Sequence, residues 1–319
     1  MKHSNKKLTS WPAVIAALVA FSITLPAQSR PHREMAPAIR ADVKMILVPV
    51  IVTDRSGRAI NGLHRSNFVV TDNKTSQQIT SFSNEDIPCS VGVVLDISGS
   101  MGSSVGIAKD VLSAVLASAN SQDEFFTLAV SSAPVTYSSP LVSVSNFTRD
   151  TNAVANSVMP AMPGGSTALV DTIYLALSKM GPARNSRRAI VVLSDGMDNH
   201  SRYKMHDLMK VAEEADVQIY TVAIKRTSAG KKPVELTEQS LGLGFLDDLA
   251  RKTGGLNFVV VDRGGAAPAA KKIALALHNQ YVLGYRPADA DGSNKWHKLQ
   301  VKLDDSSRKV YARAGYYSR

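Results

Sequence analysis

Five short segments constrain this chain more than any other feature: SVGVVLDIS from Ser90, EFFTLAVSS from Glu124, RAIVVLSDG from Arg188, VQIYTVAI from Val217 and LNFVVVD from Leu256. Each is apolar at consecutive positions, so each strand needs cover on both faces. Between them, apolar residues recur at helical spacing: Val105, Ala108, Leu112, Val115, Leu116 and Ala119, then Leu169, Ile173, Leu177 and Met180. Met205, Leu208, Met209 and Ala212 mark a third helix, and Leu246, Leu249 and Ala250 a fourth. Two-faced apolar strands alternating with amphipathic helices predict an α/β fold, a Rossmann-like, doubly wound and mostly parallel sheet covered on both sides. The block spans residues 89–262. VTYSSPLVS at 135–143 is expected to form an edge strand, where Pro140 is tolerated.

The flanks have a different texture. KMILVPVIVTD (44–54), NFVVTDN (67–73) and SQQITSFS (76–83) alternate around polar turns, so residues 30–88 form a β segment. Behind the block, residues 263–319 begin with a Gly/Ala/Pro connection and a helical segment to about Asn279. Three strands follow: QYVLGYRP, KWHKLQVKLD and KVYARAGYY. Three strands are too few to close a core alone. They are expected to pack with the N-terminal β segment, making a small β-sandwich-like module from both flanks of the α/β block.

Residues 1–29 stand apart. Lys2, Lys6 and Lys7 precede an uncharged apolar run from Trp11 to Leu25, and Ala27-Gln28-Ser29 supplies the small residues of a cleavage site. This order predicts a secretory signal peptide, with the mature protein exported to the periplasm or beyond and no stable membrane anchor. The single cysteine, Cys89, excludes an internal disulfide and reads as a buried thiol. The net charge of +10 is dispersed. Short basic runs such as Arg184–Arg188 and Lys225-Arg226 read as solvated loop charge, and no aromatic series accompanies them, so nucleic acid is not an expected partner.

The strand SVGVVLD ends in Asp96, followed by Ser98 and Ser100. LSDGMDN places Asp195 at the end of another strand, and PGGSTALVDT places Thr167 at the mouth of a helix. In a doubly wound sheet these three loops reach one carboxyl edge. Their donors are oxygens only, the chemistry of a hard-cation site. Any one loop by itself is equally a turn or a helix cap. Together they predict a cation seat made by Asp96, Ser98, Ser100, Thr167 and Asp195. Asp198 and Asn199 read as solubilising loop residues, and His200 as an exposed loop histidine.

DISGSMG, GGSTAL and VVLSDGMDN resemble the DxSxS, threonine and aspartate loops of von Willebrand factor type A domains. VPVIVTDRSGRAINGLHRSNF, NQYVLGYRP and ARAGYY are similar to segments of secreted acidobacterial proteins related to that family. The resemblance implies a metal-ion-dependent adhesion site. Ser98, Ser100 and Thr167 would hold Mg²⁺ (Ca²⁺ or Mn²⁺ being the other candidates), and Asp96 and Asp195 would act mainly through water. It implies an exported protein-binding module rather than an enzyme, with an acidic side chain of a protein partner completing the ion's shell. Two alternatives stay open: a periplasmic scaffold whose metal site exchanges no ligand, and a metal- or serine-dependent hydrolase. Ser228–Lys231 and Lys252–Gly254 match the SxxK and KTG patterns of penicillin-binding proteins, but the intervening SxN triplet is missing.

Overall fold

The computed structural model describes residues 45–130, 146–160, 162–226, 233–287 and 294–318. The signal-peptide segment, the edge strand expected at 135–143 and the Ser228–Lys231 motif lie outside them.

In chain order, the N-terminal flank supplies β1 (Ile46–Thr53), β2 (Phe68–Asp72), β3 (Thr75–Gln77) and β4 (Ile79–Ser83). The α/β block follows with β5 (Cys89–Asp96), α1 (Val105–Ala117), β6 (Glu124–Val130), α2 (Thr151–Val158), α3 (Leu169–Lys179), β7 (Arg187–Ser194), α4 (Met205–Glu214), β8 (Gln218–Ile224), α5 (Pro233–Thr253), β9 (Asn257–Val260) and α6 (Ala266–His278). The C-terminal flank supplies β10 (Tyr281–Tyr285), β11 (Trp296–Leu303), β12 (Lys309–Ala312) and β13 (Gly315–Tyr317).

The five strands of the block form one parallel sheet in the order β6-β5-β7-β8-β9. The consecutive apolar runs of β5 and β8 have the predicted cause, since both strands are buried at every position, but the run of β9 does not: at the sheet edge it leaves Val259 56% exposed. One apolar cluster joins the sheet to α1, α2 and α6, and a second joins its other face to α3, α4 and α5. The connection after β5 runs to one side of that strand and the connection after β6 crosses back to the other. The strand order therefore reverses at β5, and the carboxyl ends of β5 and β7 flank the switch point where doubly wound sheets open a crevice.

Both flanks build two four-stranded antiparallel sheets, ordered β12-β1-β10-β4 and β13-β11-β2-β3. Alternation on β1 explains how this module joins the block. Val48, Val50 and Val52 face the sandwich core with Phe68, Val70 and Leu283, while Ile51 faces the core that contains Cys89 and Tyr220. Two sequence expectations need correction. The segment 76–83 is not one strand but the end of β3 and all of β4, which belong to different sheets. The terminal segment likewise divides into β12 and β13, one in each sheet. In both places the chain turns a corner of the sandwich, and a run of β-forming residues carries no mark of the change of sheet.

The helices also differ from the expectation. α5 begins at Pro233, well before the Leu246, Leu249 and Ala250 that mark it in the sequence. Gly242 and Gly244 interrupt its apolar pattern, and proline suits the first turn of a helix. α2 was not anticipated. Asp150 caps it, its Oδ1 accepting from the Ala153 amide at 3.0 Å. Lys252-Thr253-Gly254 ends α5, where Lys252 pairs with Glu213 at 2.8 Å and the Thr253 hydroxyl donates to the Leu249 carbonyl at 3.0 Å.

Two buried polar knots hold the assembly. In the sandwich, Asp72 is 4% exposed. Its Oδ2 accepts from the Tyr285 and Tyr316 hydroxyls at 2.8 and 2.7 Å, and its Oδ1 lies 2.9 Å from His297 Nδ1. Removing one charged member of such a knot strands the others, so Asp72→Ala is expected to cost about 3 kcal/mol in urea unfolding; a loss below about 1 kcal/mol would refute that role.

At the amino edge of the parallel sheet, His278 Nε2 lies 3.3 Å from Asp123 Oδ2 and its Nδ1 lies 3.0 Å from Asp86 Oδ1. The Asp123 hydrogen bond, opposed by burial, raises the His278 pKa above the ordinary histidine value of 6.5. Burial pushes the Asp123 carboxyl up, but the bonds from His278 and from the Cys89 and Asn120 amides outweigh it and hold the pKa below 3.8. The raised histidine stabilises the fold fully below pH 6.5, and this contribution fades as the pH climbs through its folded pKa. The lowered aspartate contributes above pH 3.8 and is lost as the pH drops through its folded pKa. The stability gap between the native chain and His278→Gln is therefore expected to be larger at about pH 5.5 than at about pH 8.5 in urea titrations. A gap that does not change with pH would contradict the assignment.

Candidate functional site

The site begins with Asp96, at the carboxyl end of β5 and wholly buried. Its Oδ1 accepts from the Ser98 hydroxyl at 2.6 Å and the Ser98 amide at 2.9 Å; its Oδ2 accepts from the Ser194 hydroxyl at 2.6 Å. Ser194 closes β7, so this one carboxylate ties the ends of the two strands that flank the switch point. Burial pushes the Asp96 carboxyl up to about 6, against the lowering effect of the hydroxyls of Ser194 and Ser98.

From there the oxygens run in a chain. Ser98 Oγ lies 3.0 Å from Ser100 Oγ, and the Ser100 hydroxyl lies 3.4 Å from Asp195 Oδ1. The Asp195 Oδ1 also accepts from the Met197 amide at 3.1 Å. Four of the five sequence-predicted residues are thus in mutual contact.

Thr167 is brought to the same edge through its backbone and its neighbours. Gly99 donates to the Gly165 carbonyl at 2.9 Å, and Gly164 to the Ile97 carbonyl at 2.8 Å. On the other side, the Asn199 and His200 amides donate to the Thr167 carbonyl at 3.0 and 2.9 Å, and the Thr167 amide donates to Asn199 Oδ1 at 2.8 Å. Thr167 itself is 1% exposed, and its hydroxyl is buried without a hydrogen-bond partner among the described residues.

Asp198 and Asn199 do more than solubilise a loop. Asp198 Oδ2 accepts from the Val170 amide at 2.8 Å and from the Ser201 hydroxyl at 2.6 Å, so it sits on the amino end of α3. Together with Asn199 it fastens the aspartate loop to the threonine loop. The sequence signal was present, an acid and an amide four and five residues after Ser194, but only the neighbouring helix end gives it meaning. His200, by contrast, is an exposed loop residue as expected.

Two residues of the site carried no signal of a site role in the sequence. Gly196 has φ +79°, and a Cβ there would lie 2.3 Å from the Gly242 carbonyl oxygen of α5. The reverse contact, a Cβ on Gly242 against the Gly196 carbonyl oxygen, would be 2.5 Å. The second residue is Arg226, two positions past the end of β8. Read from sequence as solvated charge, its side chain is only 21% exposed, and its Nε lies 3.0 Å from Asp195 Oδ2. Its Nη1 donates to the Ser100 carbonyl at 2.9 Å.

The donor set suits a hard divalent cation. Among the described residues no three His, Cys, Asp or Glu side chains gather, so hydroxyls must supply part of any such set. The orphaned Thr167 hydroxyl, at the sheet edge that also carries two carboxylates buried to 0% exposure, fits that demand. Ser98 is also 0% exposed and donates to Asp96, which leaves it unreachable as a nucleophile. Among the described residues at this edge, Gly99 and Gly165 are exposed and Ser100 is half-buried.

A doubly wound α/β domain with hydroxyls and carboxylates at its switch point is thereby defined. Residues 90–241 match the family model of the von Willebrand factor type A domain, and the chain carries such a domain over that span. No curated protein matches the sequence. Among solved structures, the chain is similar to the conserved hypothetical protein BatB from Bacteroides thetaiotaomicron, with 19% identity, 59% of this chain and 98% of that one covered, and a TM-score of 0.44. For the vWF domain of the type V pili tip protein Mfa5 from Porphyromonas gingivalis the figures are 13%, 60%, 95% and 0.45. For von Willebrand factor type A from Catenulispora acidiphila they are 11%, 85%, 73% and 0.47.

The Gly196–Gly242 contact is backbone against backbone, so neither side can yield by rotating a side chain. Gly242→Ala is expected to destabilise the chain by about 1–3 kcal/mol and to shift the amide resonances of residues 195–199. An unperturbed spectrum would show that α5 does not set the position of the aspartate loop.

Proposed function

We propose that the type A domain binds a divalent cation, Mg²⁺ foremost, through Ser98, Ser100 and Thr167 with Asp96 and Asp195 behind them, and that the chain is an exported, non-enzymatic protein-binding module. The observation that carries this reading is the buried Thr167 hydroxyl, without a hydrogen-bond partner among the described residues, in a loop tied to the sheet edge that carries two buried carboxylates. A buried hydroxyl without a partner costs about 1–3 kcal/mol, and a cation would supply what no protein group does. A divalent ion held here offers a concentrated positive charge to an acidic side chain of a partner protein.

The chain's own residues do the rest. Asp96 sets the ends of β5 and β7, and its hydrogen bonds to Ser98 and Ser194 leave the hydroxyl oxygens with lone pairs turned to other uses. The amide ties between the Gly99, Gly165, Thr167 and Asn199 loops hold the donors before any ligand arrives, which limits the ordering cost of binding. The half-exposed Ser100 and the exposed Gly99 and Gly165 leave a path by which a partner's carboxylate reaches the site. That path favours an exchanging site over a sealed scaffold. Met162, 79% exposed two residues before Gly164, supplies apolar surface close in sequence to the threonine loop. Export rests on the sequence of residues 1–29; among the described residues no helix is long and apolar enough to cross a membrane.

Calorimetric titration tests the reading. The native chain is expected to bind Mg²⁺, and Thr167→Ala and Asp96→Asn to weaken it at least about tenfold while keeping a cooperative thermal unfolding transition. Unchanged Mg²⁺ affinity in both variants would defeat the proposal. Parallel titrations with Ca²⁺ and Mn²⁺ rank the ions.

A further inference from the structure

Arg226 is the fixed cation of this site. Its guanidinium spans two of the loops: Nε faces Asp195 Oδ2 at 3.0 Å, and Nη1 donates to the Ser100 carbonyl at 2.9 Å. Nη2 rests against the Met197 sulfur, in the aspartate loop. Nη1 and Nη2 hydrogen-bond inside the site, while Nε makes an ion-pair contact there without a hydrogen bond. The backbone is held as well, since the Arg226 carbonyl accepts from Gln239 Nε2 at 3.3 Å, and Gln239 is a 3%-exposed residue of α5. An arginine stays charged at every physiological pH. Its neighbour Lys225 is exposed.

This placement sets the charge of the constellation. Asp96 and Asp195 bring two negative charges, and Arg226 returns one positive charge directly on Asp195. The geometry points to Arg226 as an internal counter-cation that competes with the divalent ion for Asp195, and so sets the ion concentration at which the site loads. The inference rests on the reading that the site takes a divalent ion. Two cations drawing on one buried carboxylate repel each other in a medium that screens poorly. The chain therefore trades ion affinity for a loaded site of greater positive charge, which suits an anionic partner group. A bracing role for Arg226 predicts the opposite sign: removing a brace loosens the Ser100 and Asp195 loops and weakens ion binding.

The test is Mg²⁺ and Mn²⁺ calorimetry on the full chain, stripped with chelator and dialysed. Native protein is compared with Arg226→Gln, Arg226→Met and Lys225→Gln, and thermal unfolding verifies that each is folded. Arg226→Met preserves the reach and the contact with Met197 should the glutamine variant fail to fold. Removing the guanidinium is expected to tighten ion binding at least about tenfold. Lys225→Gln, which removes the same formal charge from a solvated position, is expected to change it less than about twofold. Binding by the Arg226 variants where the native chain shows none also supports the competition. Unchanged or weaker ion affinity in the Arg226 variants, with native binding intact, overturns the competition and leaves the metal reading standing. Equal tightening in Lys225→Gln reduces the effect to general charge and overturns it too. Absence of binding in the native chain and in every variant overturns the metal reading and this inference with it.

Discussion

Asp96 holds a charge at the end of a strand that is buried along its whole length, and two serine hydroxyls from two different strand ends share it. The Ser98 and Ser194 bonds, both 2.6 Å, tie β5 to β7 at the point where the strand order reverses. Without them the switch point would be two loose strand ends over an apolar sheet. With them, the loop after β5 is turned so that Ser100 meets Asp195, and the backbone of Gly99 reaches Gly165.

A buried charge has to be balanced, and the chain balances its two carboxylates unequally. Asp195 has Arg226 at 3.0 Å. Asp96 has hydroxyls and an amide but no cationic side chain among its hydrogen-bond partners, and burial raises its carboxyl to about 6. The Thr167 hydroxyl lacks even a neutral partner among the described residues. Arg226 thus supplies a cationic contact to Asp195, and neither Asp96 nor the Thr167 hydroxyl has one among the described residues. In the proposed function, selectivity for an acidic partner and restraint toward the ion would both follow from this uneven balance.

The sandwich made by the flanks is more than an appendage. β1 divides its side chains between two cores, and the Arg187 guanidinium, at the start of β7, donates to the carbonyls of Leu277, His278 and Glu85. These ties lie at the amino edge of the parallel sheet, away from the carboxyl edge where the loops converge. The ties of His278, Asp123 and Arg187 thus sit at one edge of the sheet, and the proposed site at the other.

The sequence by itself determined the parallel sheet, because consecutive apolar residues such as Val91–Leu95 and Ala189–Leu193 admit no exposed face. It also determined the oxygen character of the site, because Asp96, Ser98, Ser100, Thr167 and Asp195 stand at strand and helix ends that the winding rule sends to one edge. It determined too that β strands flank the block on both sides. Only the tertiary structure decided which sheet each flanking strand joins, since strand propensity is the same on either side of a sandwich corner. Only the tertiary structure turned Asp198 and Asn199 into loop fasteners, set Gly242 against Gly196, and drew Arg226 out of solvent onto Asp195. Each of those roles depends on a partner far away in the chain, and local periodicity and spacing hold no information about distant partners.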